Sequence, residues 1–438
     1  MISNDREYKE AFVWIWLPKA TRPVVAGKLT VDRSGLIFNY GKSYLKRKNA
    51  ISIYDNELPL KPKLLPLLPG LEMPGCIRDA SPDAWGRRVI INKKLGLKGI
   101  DIDTAQLDEL TYLLESGSDR IGALDFQQSA VEYVPRMPLN VPLDELLESA
   151  QRVERGIPLT TELDQALYHG SSIGGARPKA LIEDGGTKYI AKFSSSTDLY
   201  NVVKAEFIAM RLASLVGLNV APVSLTTSSN KDVLLIERFD RACTGDGWQR
   251  KIMVSALTIL GLNEMMARYA SYQDLAEVIR HQFTNPRATL KELFSRLIFN
   301  ILSGNTDDHA RNHAAFWDGS MLTLTPAYDI CPQSRTGNMA SQAMLISGDN
   351  RLSRIAGCLE ATHHFLLSGK EAMAIVEKQI TVIGRHWDVV CTEAGLNKID
   401  RALLGGRQFL NPFVFENLGD EFSGLLKTAI DIRAILTH

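Results

Sequence analysis

The chain has 438 residues, 45% hydrophobic and 23% charged, with 50 Lys and Arg set against 50 Asp and Glu. This is the profile of a soluble globular protein of two or three domains, and a net charge of zero excludes a dominant nucleic-acid surface, though not a local basic patch. The polar start at Met1 to Glu7 has no signal-peptide core, no apolar run approaches the roughly 18 residues of a membrane span, and five scattered cysteines without a CxxC pair suit reduced thiols in a cytoplasmic protein.

The N-terminal pattern is β-rich. Strands are expected at Phe12–Leu17, Val24–Leu29 and Gly35–Tyr40. Prolines at 59, 62, 66, 69 and 74 then predict an irregular stretch over residues 57–75. Ser81-Pro82 reads as a cap and first-turn proline for a helix over Asp83–Leu95. A second helix follows at Gln106–Leu114, then a strand at Ile121–Phe126. Pro135, Pro138 and Pro142 mark a linker before a helix at Leu143–Val153.

Ser171-Ser172-Ile173-Gly174-Gly175-Ala176-Arg177-Pro178-Lys179 is a small-residue loop leading into strands at Ala180–Glu183 and Tyr189–Phe193. Such a loop can lay backbone N–H groups against phosphates, because no Cβ holds the ligand away. It can also be an ordinary turn, and it is neither GxxxxGK[ST] nor GxGxxG. Lys192 on the second strand is followed by Glu206 on a helix whose apolar face runs from Ala205 to Val216 and which Gly217 ends. A strand Lys with a Glu on the next helix repeats the ion pair of protein kinases. Val233–Asp240 is a strand that runs into a connector.

From residue 251 the chain reads as mainly helical, with amphipathic candidates at Ala372–Ile383 and Leu425–Leu436. The most informative stretch lies inside this part. Leu290, Leu293, Phe294, Leu297, Ile298 and Ile301 fall at helical spacing, and Ser303-Gly304-Asn305 reads as the helix stop. Asp307 and Asn312 follow, five residues apart in a polar loop. His313–Phe316 and Met321–Leu324 flank Asp318-Gly319 as a hairpin that returns the chain to Asp329. Phosphoryl transfer needs a carboxylate beside the attacking hydroxyl and hard oxygen ligands for Mg²⁺, which these residue types supply. Turn and capping roles for Asp307, Asp308 and Asn312 are the plain alternative. A metal reading of His309-x3-His313 lacks a further ligand nearby.

In order and spacing these stretches resemble the HipA family of bacterial toxin kinases. The resemblance is carried by Asp79-Ala80-Ser81-Pro82-Asp83-Ala84-Trp85-Gly86, Gly117-Ser118-Asp119-Arg120-Ile121-Gly122-Ala123, residues 172–179, Ile190–Phe193, Glu237-Arg238-Phe239-Asp240-Arg241, Thr306–Asn312 and Pro326–Ile330. It implies an α+β, protein-kinase-like two-part fold: a mixed α/β N-terminal region with a β-rich start, and a helical C-terminal domain. The expected division is an N-terminal subdomain over 1–130, an ATP-loop subdomain over 131–240 and a catalytic domain over 241–438.

The resemblance further implies a serine/threonine protein kinase that uses ATP and Mg²⁺. Asp307 would be the base, with His309 and Arg311 supporting its loop, and Asn312 and Asp329 would hold metal. Ser172, Gly174, Gly175, Ala176, Lys179 and Lys192 would face the nucleotide phosphates, and Glu237 and Phe239 the adenine. Ser172 matches the family's autophosphorylated serine, with Ser171 as the competing position. The implied partners are a helix-turn-helix, HipB-like antitoxin that supplies the DNA contacts, and a protein substrate of the aminoacyl-tRNA synthetase class. Arg177-Pro178 makes the loop stiffer than in some family members. The rival readings are a small-molecule kinase of the aminoglycoside type and a catalytically idle module that only assembles with an antitoxin.

Overall fold

The structure, a computed structural model, describes residues 8–95, 105, 107–137, 141–154, 157, 177–195, 198, 200–335 and 337–437. The chain divides into two compact units. One comprises residues 1–197, 226–254 and 316–320, the other residues 198–225, 255–315 and 321–438.

The first unit opens with an antiparallel sheet of order β3-β2-β1-β4, built from β1 (Glu10–Ile15), β2 (Val24–Asp32), β3 (Gly35–Tyr40) and β4 (Leu124–Gln127). Ala11, Val13 and Ile15 alternate onto one fully buried face, the period-2 signature of a strand. The strand expected at Ile121–Phe126 forms only from Leu124, because Gly122 at φ +76° turns the chain first. A second sheet has the order β5-β6-β8-β7, from β5 (Lys179–Asp184), β6 (Thr187–Phe193), β7 (Val223–Ser228) and β8 (Lys231–Glu237). Helices α1 (Ala84–Leu95) and α2 (Leu143–Glu154) cover it, and Trp85, Val89, Leu147, Ala191, Phe193 and Val233 share one core.

An ion network binds two of the recognised motifs together inside this unit. Asp119 accepts from Lys188 Nζ at 2.6 Å, Arg238 Nη1 at 3.0 Å and Arg241 Nη2 at 3.0 Å. Asp240 accepts from Arg238 Nη2 and Arg241 Nη1, both at 2.8 Å, and from the Gly122 amide at 2.8 Å. All five charged side chains are buried. Burial alone would push the Asp119 carboxyl up, but Arg238, Arg241 and Lys188 hold it well below the usual carboxylate range. These motif residues therefore brace the turn at 117–122 against the connector after β8.

The second unit is largely helical. Its main helices are α3 (Val202–Val216), α4 (Tyr272–Gln282), α5 (Pro286–Ser303), α6 (Gly369–Glu393) and α7 (Ser423–Leu436). The six apolar residues that predicted α5 are all fully buried, and Phe299 and Leu302 are buried as well, so the helix is surrounded rather than half-solvated. Pro286 opens it and Gly304 closes it at φ +72°. A Cβ on Gly304 would also lie 2.7 Å from the Gln408 carbonyl oxygen, so glycine is required there twice over. Helix α6 runs ten residues past the expected end at Ile383, with Trp387, Val390 and Cys391 continuing its buried stripe. Gly384, the first residue past that expected end, is where α7 approaches: a Cβ there would meet Ile432 Cγ2 at 2.5 Å. Among the described residues no helix is long and apolar enough to cross a membrane.

Candidate active site

The end of α5 delivers the chain into a loop that folds on itself. Asn305 is buried, and its amide nitrogen donates to Asn300 Oδ1 at 3.1 Å. The His309 amide donates to the Asp307 carbonyl at 2.9 Å, and the Asn312 amide to the His309 carbonyl at 2.8 Å. Asn312 Nδ2 donates to the Asp307 carbonyl at 3.2 Å. Asp307 and Asn312 are thus joined across their five-residue spacing. With its nitrogen so used, the Asn312 amide presents its oxygen on the other side, and the Asp307 carboxylate is left exposed.

The base of this loop is clamped by Asp308 and His313, which the sequence offered as turn polarity and half of a weak metal pair, and by Tyr272, which it did not single out. Asp308 and His313 bracket residues 309–312, and His313 Nε2 lies 2.9 Å from Asp308 Oδ1. The Tyr272 hydroxyl, at the start of α4, donates to Asp308 Oδ2 and lies 3.2 Å from His313 Nε2. All three side chains are buried. Tyr272 is itself fixed, because its amide donates to the Leu345 carbonyl at 2.8 Å. His313 Nε2 is therefore committed to a carboxylate and a phenol, while its Nδ1 is buried without a hydrogen-bond partner among the described residues. Nothing in the spacing of Tyr272, 36 residues upstream of Asp308, could have found it.

Asp329 returns to the loop from the far side. The Ala327 amide donates to the Asn219 carbonyl at 2.7 Å, and the Tyr328 hydroxyl to the Arg311 carbonyl at 2.6 Å. Asp329 itself holds φ +60°, a left-handed conformation that a non-glycine residue adopts at a cost. Desolvation raises the Asp307 carboxyl above the ordinary aspartate value. The Asp329 carboxylate adds to that rise, and His309 opposes it. Asp307 is exposed at its surface, yet the surrounding protein removes part of its carboxylate's hydration, which disfavours the ionised form relative to a free aspartate. Arg311 pairs with Glu264, and His309 Nδ1 is buried without a hydrogen-bond partner among the described residues.

Two carboxylates close enough to perturb one another, together with an oriented amide oxygen, are an oxygen donor set of the kind Mg²⁺ prefers. The residues present therefore fit a divalent cation, with Asn312 and Asp329 to hold it.

The remaining expected site residues lie in the first unit. Lys179 on β5 and Lys192 on β6 are direct register partners, so both side chains leave the same face of the sheet. Both are largely buried, at 3% and 8% exposure. Glu237 ends β8 opposite Tyr189. Phe239 follows it and meets Phe316 edge-on at 6.0 Å, and Lys251 Nζ lies 4.6 Å from the Phe316 ring. Glu206 is buried on α3 of the second unit. Ser171, Ser172, Gly174, Gly175 and Ala176 lie outside the described residues.

Comparison with known proteins adds an independent line. A HipA N-terminal domain family profile matches residues 19–127, and a HipA-like C-terminal domain profile matches residues 171–387. The chain is 27% identical over 333 residues to Y4mE of Sinorhizobium fredii, a protein named as a kinase; the match spans 70% of this chain and 74% of that one. It is 27% identical over 233 residues to the serine/threonine-protein kinase toxin HipA of Shewanella oneidensis, spanning 46% of this chain and 53% of the relative. Among solved structures, the Shewanella oneidensis complex of HipA, HipB and operator DNA contains a chain that aligns with a TM-score of 0.63 at 19% identity. That alignment covers 94% of both chains, a likeness of fold.

Proposed function

This chain belongs to the HipA family, and from that premise we propose that it is a toxin serine/threonine protein kinase that transfers the γ-phosphate of ATP to a protein serine. The observation that carries the reading is the Asp307 carboxylate. It is exposed on a loop clamped from beneath and lies under the field of Asp329, with the Asn312 amide joined to its carbonyl. Asp307 accepts the proton of the attacking hydroxyl, a step that needs a carboxylate held in place but reachable. A raised pKa makes the carboxylate a better proton acceptor.

Mg²⁺, when bound, offsets the charge of the ATP phosphates. Asn312 and Asp329 are its ligands. Lys179 and Lys192 neutralise nucleotide phosphate, and Glu237 and Phe239 line the adenine side. His309 and Arg311 keep the loop in shape, Arg311 through Glu264 and through its carbonyl to Tyr328.

The partner follows from the family. The Shewanella oneidensis structure is a complex with HipB and operator DNA. A chain of zero net charge is poorly suited to hold DNA alone, so a helix-turn-helix antitoxin of the HipB kind supplies that contact. The protein substrate belongs to the family's class, the aminoacyl-tRNA synthetases, and Ser172 is the site of autophosphorylation, with Ser171 as the alternative.

The test is incubation with Mg-ATP followed by intact and peptide mass analysis, alongside Asp307→Ala. A phosphate on Ser172 or Ser171, lost by about 10²–10⁴-fold in the folded variant, supports the reading. Transfer only to an added aminoglycoside, or ATP binding without transfer, would replace it with one of the rival readings.

A further inference from the structure

We propose that Arg335 is an anion-binding side chain of the second unit, placed to take the oxygens of a phosphoryl group. The identity of the anion rests on the kinase reading above; the existence of the site does not.

The argument begins with where Arg335 stands. The chain after Asp329 is tied at two points to the short stretch directly ahead of Asp307. The Gln333 amide donates to the Gly304 carbonyl at 3.0 Å, and the Ala343 amide donates to the Thr306 carbonyl at 3.1 Å. Gln333 Nε2 also holds the Cys331 carbonyl at 2.9 Å, and the Tyr200 hydroxyl holds that of Pro332. The backbone entering Arg335 is therefore fixed. Arg335 is two residues past the Gly304 tie, so its Cα lies within about 7 Å of Gln333.

The side chain itself is in an unusual state. Nε, Nη1 and Nη2 of Arg335 are all withdrawn from solvent, and none has a hydrogen-bond partner among the described residues. Burial draws its pKa below the ordinary arginine value, with no carboxylate opposing the effect. Arg335 is half-buried as a residue, and other half-buried arginines leave a single nitrogen unmet, as Arg280 and Arg401 do at Nε, whereas Arg335 leaves all three; the fully buried Arg238, Arg241 and Arg296 are paired. Arg238 and Arg241 share Asp119 and Asp240, and Arg296 has Glu292 and two backbone carbonyls. A desolvated cation with every donor unmet is costly, and proteins rarely keep one unless a ligand completes it. The planar guanidinium fork matches the oxygens of a phosphoryl group two at a time. That group can be the terminal phosphate of a nucleotide, the phosphate of a phosphoserine product or free phosphate. All present the same chemistry.

The full-length chain is compared with Arg335→Gln and Arg335→Lys. Melting temperature is recorded alone and with inorganic phosphate, ADP or O-phosphoserine, and turnover is measured with Mg-ATP. Removing an unpaired, half-buried cation should leave the ligand-free melting temperature of Arg335→Gln equal to or above that of the wild type, whereas loss of a structural arginine would lower it. Phosphate should raise the wild-type melting temperature and not that of Arg335→Gln. Turnover should fall about 10–100-fold, the range for a lost charge-assisted contact. Arg335→Lys, which keeps the charge but not the fork, should fall between the two. An Arg335-dependent shift with ADP assigns the nucleotide as the source, and one with O-phosphoserine but not ADP assigns the product. The inference is overturned if Arg335→Gln melts below the wild type while phosphate protection and turnover stay unchanged. An inactive chain with an Arg335-dependent phosphate shift would overturn the kinase reading alone.

Discussion

Replacing Tyr272 by phenylalanine removes a single hydroxyl from beneath the Asp307 loop and leaves the ring, which packs edge-on against His313 at 5.3 Å. That hydroxyl donates to Asp308 Oδ2 and lies 3.2 Å from His313 Nε2. Among the described residues, Asp308 then keeps His313 Nε2, at 2.9 Å, as its side-chain partner. A lost hydrogen bond to a buried charged group costs about 1.5–3 kcal/mol. At about 2–4 °C per kcal/mol for domains of 150–250 residues, the melting temperature should drop by roughly 3–12 °C. The functional effect comes through position. Asp308 is the neighbour of Asp307, and a displacement of order 1 Å at a reacting group costs up to about 10²-fold in rate. Tyr272→Phe should therefore lower kcat by about 10–100-fold, well below its melting point, while the KM for ATP changes by less than about threefold. Thermal melting and single-turnover phosphorylation measure the two effects. If Tyr272→Phe melts and turns over as the wild type does, the clamp does not position the loop and the reasoning fails.

Asp119→Asn should cost about 3–5 kcal/mol in denaturant unfolding, because it strands Lys188, Arg238 and Arg241 around a neutral side chain. Since the Asp119 carboxyl is depressed in the fold, its stabilisation is present above the unfolded pKa and lost as the pH falls through the folded value; the variant should lose that part of the acid sensitivity. Gly304→Ala should destabilise by at least about 1–2 kcal/mol from its left-handed backbone alone, with the Gln408 contact adding to it, read as a lower denaturation midpoint. Asp307 has the opposite sign from Asp119. Its raised pKa means that the fold binds the proton more tightly, so ionisation destabilises as the pH rises. Asp307→Asn should melt higher than the wild type at neutral pH, with the gain shrinking as the pH is lowered; a gain that grows in acid would contradict the raised value.

Several features were legible because they rest on local rules. The buried face of the helix ahead of Asp307 could be read from six apolar residues at helical spacing, and its end from Gly304, because a left-handed cap favours glycine whatever surrounds it. The hairpin after Asn312 could be read from Asp318-Gly319, and strands at Ala314–Trp317 and Leu322–Leu324 flank that turn. The order Asp307, Asn312, Asp329 was visible as a pattern of oxygen donors. Its family, too, was recognisable from the succession of short motifs.

Other features depended on neighbours distant in sequence. The helix candidate at Ala372–Ile383 stops short of Gly384, yet that glycine lies inside a 25-residue helix, where Ile432 takes the space a side chain would fill. Asp119 and Arg238–Arg241 read as parts of a functional motif, yet they satisfy one another 119 residues apart, since buried charges must find partners wherever the fold brings them. Asp308 and His313 read as loop polarity or a weak metal pair until Tyr272 meets them, and the state of Arg335 depends on which acceptors the fold leaves out of its reach. Periodicity, capping and turn chemistry act over a few residues and so are written along the chain. Desolvation and charge pairing act through space, and only the tertiary structure decides them.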